Sequence, residues 1–202
     1  MTDIDPRLVR LLARHFNDLR GWHTVAAGAG MTAMGAGWLA TRTPIGMALS
    51  AGFALIAILW PIERLTWYYA ERFGRVMHDD KRMLYTVLVP ILASIVLERV
   101  DHASGISVFW FAWSLYPAWL VLDGWPYRTY QLVAAAAGVL AGIAGFHASS
   151  FWEGFAQGWL VVGPAEIVCG FADHALLVRA MRSRGMPLQA PSLTATDWRS
   201  DK

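Results

Sequence analysis

Residues 131–147 read QLVAAAAGVLAGIAGFH, a stretch without a single formal charge. A helix that crosses a bilayer needs roughly 20 mostly apolar residues. Because backbone groups in lipid must satisfy their own hydrogen bonds, an uninterrupted apolar run is typical of a transmembrane helix. The run also lacks the alternation of apolar and polar residues that marks the strands of membrane barrels. It therefore indicates an all-α membrane protein.

Similar runs recur on both sides of this stretch. Together they predict a polytopic bundle of about six transmembrane helices, at residues 22–40, 44–62, 83–98, 105–122, 131–147 and 155–178. The composition agrees, because 56% of the residues are hydrophobic and only 16% are charged. In soluble domains, about a quarter of the residues are charged.

Lysine and arginine are distributed unevenly among the predicted loops. Of the 17 basic residues, four precede the first span, five lie between the second and third, one lies between the fourth and fifth, and five follow the last. Only Arg42 and Arg99 lie on the opposite side. Since cytoplasmic loops carry the excess of basic residues, we expect a multi-pass protein of the bacterial cytoplasmic (inner) membrane with both termini in the cytoplasm.

Two segments flank the predicted transmembrane domain, which covers residues 22–178. Residues 1–21 are predicted to form a cytoplasmic amphipathic segment, with apolar residues on one face and arginines around the other: Leu8, Leu12, Phe16 and Leu19 against Arg7, Arg10 and Arg14. This pattern predicts an interfacial helix on anionic lipid, or a helix that docks on the protein's own loops. Residues 179–202 are predicted to form a cytoplasmic tail.

Small residues recur at four-residue spacing within three predicted spans. They are Ala134, Gly138 and Gly142 in the fifth span, Gly46, Ser50 and Ala54 in the second, and the pairs Ala26 with Gly30 and Ala33 with Gly37 in the first. Such spacing lets two helix backbones approach closely. Packing within one bundle is the favoured interpretation for any one span, and self-association or contact with another membrane protein is the alternative.

Two acids lie within the sixth predicted span. Glu166 is near its middle, two residues after Pro164, and Asp173 follows seven residues later on the same helix face. A buried acid in lipid is costly, which makes Glu166 a functional candidate. In the functional interpretation, Glu166 and Asp173 together form a ligand or proton site. The structural interpretation is a protonated Glu166 that hydrogen-bonds to a neighbouring helix.

Four histidines near the predicted membrane boundaries are the candidate ligands for a cofactor. His23 and His174 lie near one predicted boundary, and His102 and His147 lie near the other. Matched depth is what a haem held between two imidazoles requires, but none of the four lies deep in a span. We therefore predict no cofactor and no metal site, and a haem- or quinone-binding electron-transfer subunit ranks third among the functions.

One short segment has an enzyme-like pattern. Asp123-Gly124 and Arg128 resemble part of the CDP-alcohol phosphatidyltransferase motif, whose family consists of multi-span membrane enzymes. The acid that this motif places three positions before Asp123 is Leu120 here, and no pair of aspartates follows in the fifth span. The metal-binding acids of the motif are therefore missing. Serine-hydrolase, zinc-protease and phosphate-loop motifs are also absent from the sequence, and no catalytic residue is assigned.

A second resemblance concerns architecture. Its residues are Tyr68-Tyr69 followed by Arg72-Phe73-Gly74-Arg75-Val76, and Asp173-His174 with Leu176-Leu177 in the last span. They resemble uncharacterised bacterial multi-span membrane proteins, which implies a membrane bundle and no particular activity. We expect a non-enzymatic membrane subunit that contacts the lipid bilayer and associates with other membrane proteins or with itself, and not with nucleic acid. The alternative is a small transporter or ligand-binding membrane protein that uses Glu166 and Asp173.

Overall fold

The computed structural model describes residues 21–43 and 102–183 continuously, together with Val96 and scattered positions between 45 and 67. All regular structure in these residues is helical, which confirms the all-α class for this part of the chain. The predicted interfacial helix, the third predicted span apart from Val96, and the tail beyond Ser183 lie outside the described residues.

Four helices are continuous: α1 (Gly21–Thr41), α2 (His102–Asp123), α3 (Leu132–Gly145) and α4 (Phe151–Ser183). A 3-10 turn, Thr129–Gln131, leads into α3. The described positions between 45 and 67 are also helical, within and just beyond the predicted second span.

The longest helix extends beyond the span predicted for it. α4 has 33 residues, which makes it about 50 Å long at 1.5 Å per residue, whereas a hydrocarbon core is about 30 Å thick. It starts before residue 155 and continues past residue 178 as far as Ser183. The continuation is explained by Leu, Arg, Ala and Met near its end, which are good helix formers.

Two described helical stretches are long and apolar enough to cross a bilayer. They are Gly105–Asp123 and Phe151–Ala180. The apolar stretch Thr129–Gly145 is shorter. By length and composition, the described part of the chain is therefore a helical protein with two candidate membrane helices.

Glycines spaced seven residues apart join α1 to α4. The facing pairs are Gly21 with Gly170, Gly28 with Gly163, and Gly35 with Ala156, so the two helices run antiparallel. A β-carbon added at Gly28 would lie 2.5 Å from the carbonyl oxygen of Gly163. One added at Gly35 would lie 2.7 Å from the carbonyl oxygen of Ala156. Since no side chain fits at these positions, the two backbones are in direct contact.

The pair formed by α2 and α3 is also antiparallel and also depends on small residues. Gly138, Gly142 and Gly145 of α3 face Ser114, Phe111 and Ser107 of α2, in that order. α2 contacts α4 at Trp110, whose indole ring lies directly over Gly158. Trp110 is 1% exposed and belongs to the hydrophobic core. The described helices therefore form one packed body.

Candidate functional site

Asp173 is the centre of a buried polar cluster at one end of the bundle. The Nη2 atom of Arg128 lies 3.1 Å from its Oδ1 atom. The side-chain amide of Gln131 donates a hydrogen bond to Oδ2 at 2.9 Å, and the hydroxyl of Tyr130 donates one to Oδ1. Arg128, Gln131 and Asp173 are at most 3% exposed. The cluster therefore joins the start of α3 to the interior of α4.

The turn between α2 and α3 positions Arg128. The amide of Gly124 donates to the carbonyl oxygen of Leu120 at 3.0 Å. The amides of Tyr127 and Arg128 in turn donate to the carbonyl oxygen of Gly124, at 2.8 and 3.2 Å. A β-carbon added at Gly124 would lie 2.8 Å from the Cγ atom of Arg128. Glycine therefore leaves the room that the Arg128 side chain needs to cross the turn and reach α4.

The donors around Asp173 decide what this carboxylate can do. Charge-assisted hydrogen bonds are about twice as strong as neutral ones, and both carboxylate oxygens of Asp173 receive them. A buried pair of this kind holds the geometry of its neighbours, because separating the two charges leaves each of them uncompensated. Asp173 therefore joins helices and is occupied by protein donors.

Glu166 has different surroundings, although it shares the α4 face of Asp173. Its side chain is half-buried, and a β-carbon added at Gly28 would lie 3.0 Å from its Cβ atom. Its carboxyl interacts electrostatically with the indole N–H of Trp113. That N–H has no acceptor at full hydrogen-bond geometry. Among the described residues, no cation forms an ion pair with Glu166.

The two acids of the predicted site thus have different neighbours in the structure. Asp173 has a cationic partner and buried neutral donors, whereas Glu166 lies between α1 and α2 with the indole of Trp113. From the sequence, Arg128 is assigned only to the enzyme-like pattern that begins at Asp123 and to the basic residues of the loops, and Tyr130 and Gln131 are assigned no role. The available signal was three polar side chains at the entry to an apolar helix, in a chain that also has an aspartate within a span.

The predicted packing residues of the second and fifth spans lie in contacts within the chain. Ala134 is fully buried, and Gly138 and Gly142 face α2. The hydroxyl of Ser50 donates to the carbonyl oxygen of Gly46 at 2.7 Å and lies against Gly37 of α1.

The remaining polar side chains are dispersed. The ring of His174 lies 5.4 Å from the ring of Trp22, and His147 is exposed after the end of α3. The buried thiol of Cys169 donates to the carbonyl oxygen of Tyr130 at 3.5 Å. Within residues 21–43 and 102–183, no three His, Cys, Asp or Glu side chains are grouped so as to hold a metal ion.

The opposite end of the bundle has a second, exposed polar group. Arg42 directly follows α1 with a left-handed backbone (φ 48°), and its guanidinium lies 3.7 Å from the carboxylate of Glu153. The backbone and hydroxyl of Ser149 both donate to the same carboxylate. Because Arg42 is 69% exposed, this pair is screened by solvent and contributes little to stability.

Comparison of the chain with protein-family models, with curated proteins and with solved structures found no match.

Proposed function

We propose that this chain is a non-enzymatic subunit of the bacterial inner membrane, embedded by about six helices, which associates with another membrane protein or with a second copy of itself. The observation that carries the proposal is a reversed distribution of residue size. On α3, small residues line the contacts with the other helices and large aliphatic residues face outward.

This distribution is found on α3. Its buried residues are all alanine or glycine: Ala134, Ala135, Ala137, Gly138, Ala141, Gly142 and Gly145. Its exposed large residues are all aliphatic: Leu132, Val133, Val139, Leu140 and Ile143. A helix on the surface of a soluble protein buries its large apolar residues and exposes polar ones. Helices in lipid pack through small residues instead, which supports a membrane location.

α1 differs from α3, because it has small residues on two faces. The glycines at seven-residue spacing contact α4. A second face is exposed and carries alanines at helical spacing: Ala29, Ala33, Ala36 and Ala40. In a bilayer, helices associate through close backbone packing, since lipid offers no hydrophobic driving force between them. The exposed alanine face of α1 is therefore where we place the partner helix.

Two enlargements of similar kind test the proposal. Ala36→Leu enlarges the exposed alanine face of α1, and Val139→Phe enlarges the lipid-facing side of α3. After cross-linking in native membranes and purification, we expect the complex to be lost with Ala36→Leu and kept with Val139→Phe. If both variants keep the wild-type complex, or if wild type is a lone monomer in lipid, the subunit role is wrong.

A second candidate function is supported by Glu166. In this function the chain binds or transports a small ligand at Glu166, while Asp173 stays paired with Arg128. The supporting observation is a carboxyl within a candidate membrane helix that forms no ion pair with a described residue. Acids in such positions are rare and mark pathways or binding sites.

Thermal stability in detergent distinguishes a ligand site from a structural hydrogen bond. A residue kept for ligand binding often costs stability, so we expect Glu166→Gln and Glu166→Leu to be at least as stable as wild type. A structural hydrogen bond between helices would behave otherwise. Its loss in Glu166→Leu would destabilise the protein by about 1–2 kcal/mol, while Glu166→Gln would resemble wild type, and that result would refute the second function.

A further inference from the structure

Four aromatic side chains form a continuous wall across the contact between α2 and α4. The ring of Phe109 lies 6.4 Å from that of Trp113 and 5.0 Å from that of Phe155, centroid to centroid. The rings of Phe155 and Trp159 are 4.4 Å apart. Trp113, Phe155 and Trp159 are only partly buried against the hydrophobic core. Part of their ring surface is therefore open to a neighbouring molecule.

Glu166 lies at one end of this wall. It follows Trp159 by seven residues, which places it two helical turns, or about 10 Å, further along the same side of α4. On α2, the indole N–H of Trp113 interacts with its carboxyl. The wall and the carboxyl therefore form one elongated surface, apolar and aromatic over most of its length and acidic at one end.

We propose that this surface binds a lipophilic organic cation, such as a hydrophobic amine or a quaternary ammonium or phosphonium ion. The proposal rests on the second candidate function, a ligand site at Glu166, and names the class of ligand. An uncompensated carboxylate in an apolar environment is costly, and a cation removes that cost. Aromatic rings attract cations to their faces, most strongly where water is excluded.

The same residues argue against a small inorganic cation. Calcium takes six to eight oxygen ligands, and magnesium requires a near-ideal octahedron. Near Glu166, the only other described acid with which its carboxyl interacts is Asp173, whose oxygens already receive hydrogen bonds from Arg128, Tyr130 and Gln131. One carboxyl with several aromatic rings fits a bulky cation, whose charge is spread and whose surface is apolar.

Binding of tetraphenylphosphonium to the purified full chain in detergent micelles tests the proposal, by equilibrium dialysis. We expect saturable binding that weakens about tenfold or more in Glu166→Gln, equivalent to about 1.4 kcal/mol or more. Glu153→Gln removes an acid at the exposed end of α4 and serves as the matched control, with affinity unchanged. Equal binding by wild type and Glu166→Gln would mean partition into the micelle and would overturn the proposal.

The aromatic wall is tested separately. Trp113→Leu removes a ring beside Glu166, and we expect affinity to fall about 3- to 30-fold, the range of a cation–π contact. Trp113→Phe keeps a ring and should retain most of the affinity even if Trp113→Leu fails to fold. Loss of binding in Trp113→Phe, with wild-type thermal stability, would contradict a role for the ring face.

A carboxyl-directed reagent separates failure of this proposal from failure of the ligand site itself. Dicyclohexylcarbodiimide adds to carboxylic acids in apolar surroundings, and peptide mass spectrometry locates the adduct. We expect labelling at Glu166 that tetraphenylphosphonium prevents. Labelling without binding or protection would leave a ligand site at Glu166 but refute a cationic ligand. If Glu166 is not labelled and tetraphenylphosphonium does not bind, both the cationic ligand and the ligand site at Glu166 are refuted.

Discussion

At the scale of single residues, the buried pair formed by Arg128 and Asp173 is expected to be sensitive to substitution. Both side chains are almost fully buried, 3.1 Å apart. Removing one partner, as in Arg128→Met, leaves a buried charge without compensation, and we expect a loss of about 3–5 kcal/mol in unfolding free energy. The double variant Arg128→Met with Asp173→Leu replaces both charges by apolar groups and should be milder. Denaturant unfolding in micelles measures both.

A graded control comes from Tyr130, which donates to the same carboxylate. Tyr130→Phe removes one hydrogen bond to a charged group and keeps the ring, so we expect a smaller loss of about 1.5–3 kcal/mol. The pair would not be the stabilising feature if the double variant were as unstable as the sum of its single variants.

The sequence predicts a functional role for Asp173 but does not predict its pairing with Arg128. Asp173 was selected because an acid within an apolar run is unusual. Arg128 belongs to a loop, where the distribution of basic residues is informative about topology but not about pairing. The partner lies 45 residues away along the chain, and helical periodicity relates only residues within one helix.

At the scale of helices, enlarging the two faces of α1 should have opposite consequences for folding. Gly28→Ala places a β-carbon against the backbone of Gly163, so the helices must separate and we expect a loss of about 1–3 kcal/mol. Ala36 is exposed, and leucine is nearly as good a helix former as alanine. Ala36→Leu, although the larger change, should therefore alter the unfolding free energy of the single chain by no more than about 0.5 kcal/mol.

Thermal unfolding of the two variants, side by side in detergent that dissociates any complex, gives the comparison. A Gly28→Ala variant as stable as wild type would show that α1 and α4 are not in backbone contact. An unstable Ala36→Leu variant would show that the alanine face already packs within the chain and is closed to a partner helix.

The sequence predicted where the described helices lie better than how they pack. Long runs with few charged residues mark α1, α2, α3 and α4, because polar or turn-forming residues separate one run from the next. Four-residue spacing pointed to Gly138 and Gly142, which face α2. In α1, however, the contact with α4 uses Gly21, Gly28 and Gly35 at seven-residue spacing. Small residues are so frequent in α1 that the sequence alone does not show which face meets a neighbour.

At the scale of the whole molecule, antiparallel packing assigns the described residues to two ends. Thr43 and Ser149 lie at the end that holds Arg42 and Glu153, because α1 ends there and α4 begins there. Trp125 lies in the turn that leads to the Asp173 cluster, at the other end. In the six-span proposal, the distribution of lysine and arginine places the first end outside and the second in the cytoplasm.

Single cysteines at these exposed positions test that assignment in intact cells. In a Cys169→Ala background, Thr43→Cys and Ser149→Cys should react with a membrane-impermeant maleimide, because both lie at the outer end. Trp125→Cys should react only after the cells are permeabilised, although Trp125 is 65% exposed. Reaction of all three in intact cells would mean that the chain does not span the membrane as proposed. If only Trp125→Cys reacted in intact cells, the orientation would be the opposite of the one proposed. The distribution of basic residues would then not determine the orientation.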